Sequence, residues 1–483
     1  MRLTLSSWVV LITLGVPLLA DGPKPIELTI MASAIETPVL KYRLFPSEAE
    51  MKPGNAVPIL LRLPWDQRVW MTQVFPTLHE WGTRPLNAPE WGQSKGVLPE
   101  SFYVEMKRAA FRREASWEYP IGETSSPYSI LLPDVQELSN WLGRGLSARI
   151  RYHISRGELD KAREGIMVGI ANSRHIAHTT FYINQMVAIS IHRIMLERVN
   201  ELISQPDSPN LYWALSALPD SLLQMDRAAD FESDIFALTF PAVRDFDRPR
   251  DANEWKKMAR QLVEFLEEMD ELPRLDQIDP ERSAQSYVAK MTGQARSDLL
   301  KLALVSPEKV AQMTDHEAVV RWYTHWRIST DERVSAVLML PPREAWRELK
   351  KLQTEVDLMQ AKTGTQADRP NPTSMYLAAW TLKRRIQALR LIEAIRDHLA
   401  THDGQLPELL KDIHNVAIPV DPITNQPFIW SVNGKVATLA SPPLPADVVA
   451  PGSANDTAGT LEYRLRVKTE PALNSIGHRK EDE

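Results

Sequence analysis

The sequence predicts a mainly α fold: antiparallel helical hairpins form a repeat-like helical body, with a small C-terminal α+β cap that contains a β-hairpin. Prolines outnumber glycines by 36 to 19, which suits helices punctuated by prolines better than a glycine-rich β protein. Apolar residues recur at helical spacing through most of the chain. Near the C-terminus Asn433-Gly434 separates two apolar runs, which is a strong hairpin signal.

Composition limits the classes of function. With 483 residues, 43% of them hydrophobic, the chain can bury one large core or two to three smaller ones. A formal net charge of −6 argues against a general nucleic-acid binder. The chain contains no cysteine, so lipoprotein attachment, disulfides and thiol chemistry are excluded.

The N-terminus has the pattern of a secretory signal. Arg2 supplies a positive charge, residues 8–19 form a short apolar run, and Ala20 precedes the expected cleavage point. The run is short for a transmembrane helix, and an uncleaved anchor is the alternative. We therefore expect residues 1–20 to be a signal peptide and the protein to be exported to the periplasm or cell envelope.

The rest of the chain divides by composition. We predict that residues 21–131 form a Trp- and Pro-rich segment that is extended or irregular and contains short helices, and that residues 132–363 form the helical body. A linker follows at 364–374, and a cassette of a long helix plus a β-hairpin follows at 375–441. Residues 442–483 are predicted to form a loop, a last strand and a charged tail. Apolar spacing predicts helices over 98–113 and 178–203. Within the segment 21–131, the stretch 64–97 carries four tryptophans, Trp65, Trp70, Trp81 and Trp91. They suit either an aromatic platform for a sugar or peptide or, the favoured interpretation, anchors of an irregular segment on the helical body.

A helical hairpin is predicted around Gly157. The run Gly157-x-Leu159-x-x-Ala162, with Leu146 and Ile166 as large apolar residues, resembles the turn of a tetratricopeptide repeat. Ile150 departs from that family, which has a small residue there, and no second copy follows at the family's period of about 34 residues. The resemblance implies a repeat-like hairpin within a larger helical body.

The cassette begins with a long amphipathic helix that ends at Asp403-Gly404, because glycine adopts a left-handed cap at little cost. The residues that follow include Pro407, Pro419, Asp421-Pro422, Pro427-Phe428 and Trp430. This order resembles the C-terminal part of type II secretion pseudopilins, although the prepilin cleavage motif and the N-terminal stalk are absent. The resemblance implies shared local packing. Segments such as RYHISRGELDKA also resemble exported, tetratricopeptide-like helical proteins of planctomycete-type bacteria, a likeness that implies no activity.

Two histidine pairs have the spacing of candidate ligands. His398 and His402 lie one helical turn apart beside Asp397 and Asp403, so they could face one metal ion. Histidines are also favoured at a helix end, which is the preferred interpretation. His175 and His178, near Arg174, could bind an anion or a metal, or could simply occupy a solvated turn, which the pattern favours.

Three other patterns have simpler explanations than catalysis. The runs Ser306-Pro307-Glu308-Lys309 and Lys362-Thr363-Gly364 echo penicillin-binding signatures, but the middle element is missing and Pro307 marks a helix start. His316-Glu317 lacks the second histidine of a zincin, and Glu317 forms a capping box with Thr314. The acidic run at 264–271 is typical of a solvated helix face.

The sequence therefore predicts an exported, non-enzymatic helical scaffold that binds a protein or peptide partner in the cell envelope. It assigns no catalytic residue, cofactor site or metal site, and it predicts no nucleic-acid partner and no stable membrane span after signal cleavage. Two alternatives remain. One is an exported hydrolase whose site assembles from residues distant in sequence, and the other is a component of an envelope secretion or assembly system.

Overall fold

The computed structural model describes residues 24–66, 80–93, 98–119, 138–245, 248–268, 279–302, 305–363, 372–444 and 460–468. Helices hold most of these residues, and a four-stranded and a two-stranded sheet hold a small remainder. The fold is therefore mainly α with a small β part, as the sequence predicts. In the described part, no helix is both long enough and apolar enough to cross a membrane.

The helices begin and end as follows. The α-helices are α1 Val57–Asp66, α2 Glu100–Ala110, α3 Leu146–Ser155, α4 Leu159–Ala177, α5 Tyr182–Ile203, α6 Tyr212–Ser216, α7 Met225–Thr239, α8 Ala252–Glu268, α9 Pro280–Lys301, α10 Pro307–Gln312, α11 Asp315–Leu338, α12 Pro342–Thr363 and α13 Pro372–Thr401. Short 3₁₀ turns lie at Pro89–Gln93, Pro241–Asp245 and Leu410–Asp412, and a π-helical turn at Asn140–Gly145 leads into α3.

Side-chain caps fix several helix starts where the sequence predicts them. The Thr314 hydroxyl accepts a hydrogen bond from the main-chain N–H of Glu317 (3.1 Å) and begins α11. Asp251 accepts from the N–H of Glu254 (2.9 Å), while the Glu254 carboxylate accepts from the N–H of Asp251 (3.0 Å). These bonds satisfy main-chain donors that have no partner within the helix.

The hairpin of α3 and α4 turns at Gly157, whose φ of +70° is in the left-handed region. Leu146, Ala162 and Ile166 are fully buried, as the pattern predicts. The close approach comes from Gly165, because a Cβ there would lie 2.8 Å from Ile150. The small residue that the sequence lacks at position 150 is thus supplied by the opposite helix.

The strands of the four-stranded sheet are β1 Ile26–Ile30, β4 Ile429–Asn433, β5 Val436–Ala440 and β6 Glu462–Val467. Their order across the sheet is β1-β6-β5-β4. The predicted hairpin of β4 and β5 is confirmed, but its two-residue turn is Gly434-Lys435 instead of the expected Asn433-Gly434, because Asn433 pairs with Val436. β6 pairs antiparallel with β5. Gly434 has a φ of +61°, as a turn with glycine in the first central position requires.

The partner of β1 is a feature that the sequence analysis does not predict. β1 lies parallel to β6, with Ile26 opposite Tyr463 and Ile30 opposite Val467. Leu28 and Ile30 share their buried face with Tyr463 and Leu465. Strand pairing across this distance in sequence leaves no local signal, so only the extended character of β1 was predictable.

The predicted helix over 98–113 is wrong at its C-terminal end. α2 ends at Ala110, and Arg112–Glu114 form β3, which pairs parallel with β2, Lys52–Asn55. The N–H of Lys52 donates to the carbonyl of Phe111 (2.8 Å), so a partner strand draws the chain out of the helix. This change of direction positions the site described below.

In the described part of the chain, three larger groups of buried apolar residues form the interior, and a small fourth group consists of Trp81, Trp91 and Ala148. The largest joins the four-stranded sheet to α2–α6 and to α13. A second lies among α7–α11, and a third among α7, α11, α12 and the start of α13.

Candidate ligand-binding cleft

A cleft of about 600 Å³ opens beside β3. One wall is the extended run 113–119, and the other consists of residues 178–180 from the α4–α5 turn together with Arg227 and Phe231 of α7. This volume lies within the range of roughly 300–1,000 Å³ that ligand sites occupy. The cleft is therefore large enough for a small molecule or a short peptide segment.

Asn55, the last residue of β2, keeps the first wall extended beyond β3. Its side-chain oxygen accepts from the main-chain N–H of Ser116 (2.9 Å), and its amide nitrogen donates to the Ser116 carbonyl (2.8 Å). The carbonyl of Glu114 accepts from the N–H of Ala56 (2.9 Å). The Asn55 side chain thus makes the hydrogen bonds that a neighbouring strand would make, beyond the point where the two-stranded sheet ends.

Aromatic rings connect the two walls. Trp117 and Tyr119 stack with centroids 5.9 Å apart, as residues two apart on an extended chain are placed to do. Tyr119 meets Phe181 edge to face at 5.3 Å, and Phe181 meets Phe231 at 5.0 Å. The indole N–H of Trp117 donates to the carbonyl of His175 (2.9 Å), which ties the extended wall to the end of α4.

Of the predicted histidine pair, His178 lines this cleft and His175 is buried, so the pair does not occupy the solvated turn that the sequence pattern favours. Burial lowers the pKa of His175 to about 3, with further contributions from His178 and Arg174. Burial, followed by Arg174 and Arg227, lowers the pKa of His178 to about 4. Both rings are neutral near neutral pH, so neither supplies the positive charge of an anion site.

Arginines carry the positive charge of the cleft. Arg113 and Arg227 are exposed on opposite walls. Arg113 lies 3.5 Å from the Glu48 carboxylate, and Arg227 donates to the Gln224 side chain (3.0 Å). The acidic residues of the lining, Glu114 and Glu118, are both on the extended wall. Arg227 therefore supplies the charge that a ligand contacts on the other wall.

Glu232 of α7 forms a hydrogen bond with the start of α5, and both elements border the second wall of the cleft. Its carboxylate accepts from the main-chain N–H of Tyr182 (3.2 Å), the first residue of α5, which has no cap from its own N-cap residue Phe181. Burial raises the pKa of Glu232 to about 7, against the opposing effects of the Tyr182 hydrogen bond and Arg327. Glu232 is a cap contributed by another helix, and it joins α7 to the start of α5 beside the cleft.

The other predicted pair, His398 and His402, lies at the end of α13. The rings stack with centroids 3.8 Å apart and an angle of 11° between their planes, and His402 Nδ1 lies 3.1 Å from the His398 carbonyl. Asp397 accepts from the N–H of Ile35 and from the Asn415 side chain, both at 2.9 Å. In the part of the chain that the structure describes, no three histidine or acidic side chains are grouped as ligands of a metal ion.

The remaining candidates occupy structural positions. The Ser306 hydroxyl accepts from the N–H of Lys309 (3.4 Å) at the start of α10. Glu317 forms an ion pair with Arg321 (2.9 Å), and Glu264 forms one with Arg260 (3.4 Å), each one turn apart on its helix. Lys362-Thr363 ends α12. Gly364 and residues 269–271 of the acidic run lie outside the described residues.

Trp81 and Trp91 are buried, with 8% and 3% of their surface exposed. The Trp91 indole donates to the carbonyl of Pro85 (2.8 Å), and the guanidinium of Arg151 lies 5.9 Å from the Trp91 ring and donates to the Trp81 carbonyl (2.5 Å). Both tryptophans therefore anchor their segment on α3. Trp70 and the side chain of Trp65 lie outside the described residues.

Sequence reasoning missed most of the cleft, which is assembled from three separate stretches. Trp117 and Tyr119 left a weak signal, because two aromatics two residues apart suit an extended chain. Arg227, Phe231 and Glu232 belong to no motif. Searches among known protein families, curated proteins and solved structures find no match for this chain, so its function must be argued from this geometry.

Proposed function

We propose that the protein is an exported, non-enzymatic helical scaffold that binds a protein or peptide partner in the cell envelope. The cleft beside β3 is the binding site in this proposal. The signal-like N-terminus, with Arg2, a short apolar run and Ala20, supports export.

The observation that carries the proposal is the combination of residues at the cleft. Trp117, Tyr119 and Phe231 offer aromatic surface, and Arg113 and Arg227 offer charged groups at the opening. Aromatic residues and arginine are the types most enriched where proteins bind one another. The two histidines nearby are neutral near neutral pH, and His175 is buried.

A capture experiment with a blocked cleft tests the proposal. The mature chain, residues 21–483, would carry an affinity tag and be crosslinked in an envelope fraction. Thr180→Arg places a long side chain in the cleft, and Thr354→Arg adds the same charge on the exposed surface of α12 as a matched control. We expect a partner that the wild type and Thr354→Arg recover and that Thr180→Arg does not.

Equal recovery by both variants would show that the cleft is not the binding site. If no partner is recovered and a panel of ester, peptide and glycoside substrates shows turnover, the protein is an exported hydrolase and the scaffold proposal fails. Circular dichroism of both variants confirms that loss of capture does not come from unfolding.

A further inference from the structure

Within the described residues, the main chain after β3 has a free edge, which is one side without main-chain hydrogen bonds. The carbonyl of Glu114 and both main-chain groups of Ser116 bond to Ala56 and Asn55, on the side of β2. On an extended chain, main-chain groups of successive residues point to opposite edges, so those of Ala115 and Trp117 point away from β2. Among the described residues, no main-chain hydrogen bond involves Ala115 or Trp117.

This free edge belongs to the cleft. Ala115 and Trp117 line it on one wall, and Thr179, Thr180 and Phe231 line it on the other. A polypeptide laid along the wall in an extended conformation would find unsatisfied main-chain donors and acceptors at the strand spacing of about 4.8 Å. Strand addition of this kind derives affinity from main-chain hydrogen bonds and specificity from alternate side chains.

Charge on the opposite wall selects among such polypeptides. Arg227 is exposed on α7 and donates to the neutral side chain of Gln224 (3.0 Å). The acidic residues of the lining, Glu114 and Glu118, are on the extended wall, across the cleft from Arg227. A carboxylate on the incoming strand therefore has a guanidinium to meet on the α7 side.

We propose that the cleft binds an extended, carboxylate-bearing peptide segment, which adds as a strand to the free edge at Ala115 and Trp117 and places its carboxylate against Arg227. This inference rests on the proposed function as a partner-binding scaffold. It goes further by naming the conformation and the charge of the bound segment.

Fluorescence anisotropy with two labelled octapeptides tests the inference. Both peptides alternate threonine and valine, one carries a central glutamate, and the other carries glutamine at the same position. The mature wild-type chain should bind the glutamate peptide about tenfold more tightly than the glutamine peptide, since a charge-assisted pair adds on the order of 1.4 kcal/mol.

Two substitutions separate the two parts of the inference. Arg227→Gln should remove the preference for glutamate and leave glutamine-peptide binding unchanged, whereas Arg248→Gln, an exposed arginine paired with Glu254, should alter neither. Ala115→Pro removes one main-chain N–H and obstructs strand addition, so both peptides should lose binding. Thermal unfolding establishes that each variant is folded, and Arg227→Gln tests the inference even if Ala115→Pro does not fold.

Several results would overturn the inference. The first is that Arg227→Gln still prefers the glutamate peptide as strongly as the wild type does. The second is that folded Ala115→Pro binds both peptides as the wild type does. The third is that the wild type binds neither peptide up to about 1 mM, the weakest affinity of interest here. If the tagged chain nevertheless recovers a partner that Thr180→Arg loses, the scaffold proposal stands and only the strand-addition inference fails.

Discussion

At the scale of single residues, two glycines determine how closely the helical body packs. Gly165 and Gly169 lie one turn apart on α4, and the first faces Ile150 of α3. A Cβ at position 169 would lie 2.3 Å from Met195 Sδ on α5 and 3.3 Å from Leu146 on α3. One helix thus approaches both neighbours through positions without a side chain.

Gly169→Ala should destabilise the protein by about 1–3 kcal/mol, because the added methyl group overpacks a site where Met195 is fully buried. Gly293→Ala is the matched control. That glycine is exposed within α9 and has no atom within 4 Å of a Cβ, so alanine should stabilise its helix by about 0.5–1 kcal/mol. Urea unfolding measures both changes, and equal effects would contradict the packing described.

Glu232 makes stability depend on pH. Its pKa is raised to about 7 in the folded protein, so the folded state holds a proton that the unfolded state, with an ordinary value of 4.5, releases. The associated stability is fully present below pH 4.5 and is lost as the pH rises through about 7. We expect Glu232→Gln to be more stable than the wild type at pH 8.

The measurement is the difference in unfolding free energy between the two proteins from pH 4 to pH 8. It should change by about 1–2 kcal/mol in favour of Glu232→Gln, a figure reduced to allow for partial exposure of the carboxyl group. The buried histidines titrate in the opposite sense but are common to both proteins, so they cancel in the difference. A difference independent of pH would refute the assignment.

At the scale of elements, α13, which the sequence predicts as an amphipathic helix, buries charged side chains. Arg384 and Asp421 form a fully buried pair with bonds of 2.6 and 2.8 Å, and Asp421 also accepts from the hydroxyl (2.6 Å) and N–H (2.9 Å) of Thr424. Arg396 reaches the carbonyls of Met31 and Ser208. Helical periodicity predicted the helix, and Glu393, which pairs with Arg396 (2.9 Å), lies on the same helix. Asp421, Met31 and Ser208 lie in distant segments, so these partners could not be predicted.

Asp421→Asn should destabilise the protein by about 3 kcal/mol, because it leaves the Arg384 charge buried without a counter-charge. Asp412→Asn is the control in the same region. Its side chain caps Leu409 (2.8 Å) from a half-buried position, and asparagine caps about as well, so the expected cost is below ~1 kcal/mol. Thermal unfolding compares the two, and similar losses would show that the buried pair contributes little.

At the scale of the whole molecule, local signals predicted the elements but not their assembly. Thr314, Gly157 and Gly434 act through neighbours a few residues away, so their roles could be derived from the sequence. The cleft brings together residues 113–119, 178–180 and 227–231, and β1 meets β6 across nearly the full chain. Such contacts depend on how helices pack, which no periodicity encodes.

Because β1 pairs with β6, a substitution in β1 should change the rate of amide exchange in β6. Ile30→Ala removes a fully buried side chain from β1, should cost about 2–5 kcal/mol, and should accelerate amide exchange in β6, Glu462–Val467. Thr29→Ala changes the exposed neighbour and should leave exchange in β6 unaltered. Hydrogen exchange read by mass spectrometry checks both. Unchanged β6 exchange in Ile30→Ala would contradict the pairing.

The pairing of β1 with β6 also bears on how the chain folds. Residues 26 and 463 must meet before the four-stranded sheet is complete, so the loop that closes spans almost the entire described chain. During synthesis the helical hairpins have their partners nearby and can form early, whereas β1 has no parallel neighbour until the last strand has emerged. Completion of this sheet should therefore be a late event in folding, governed by contact order rather than by the stability of any single helix.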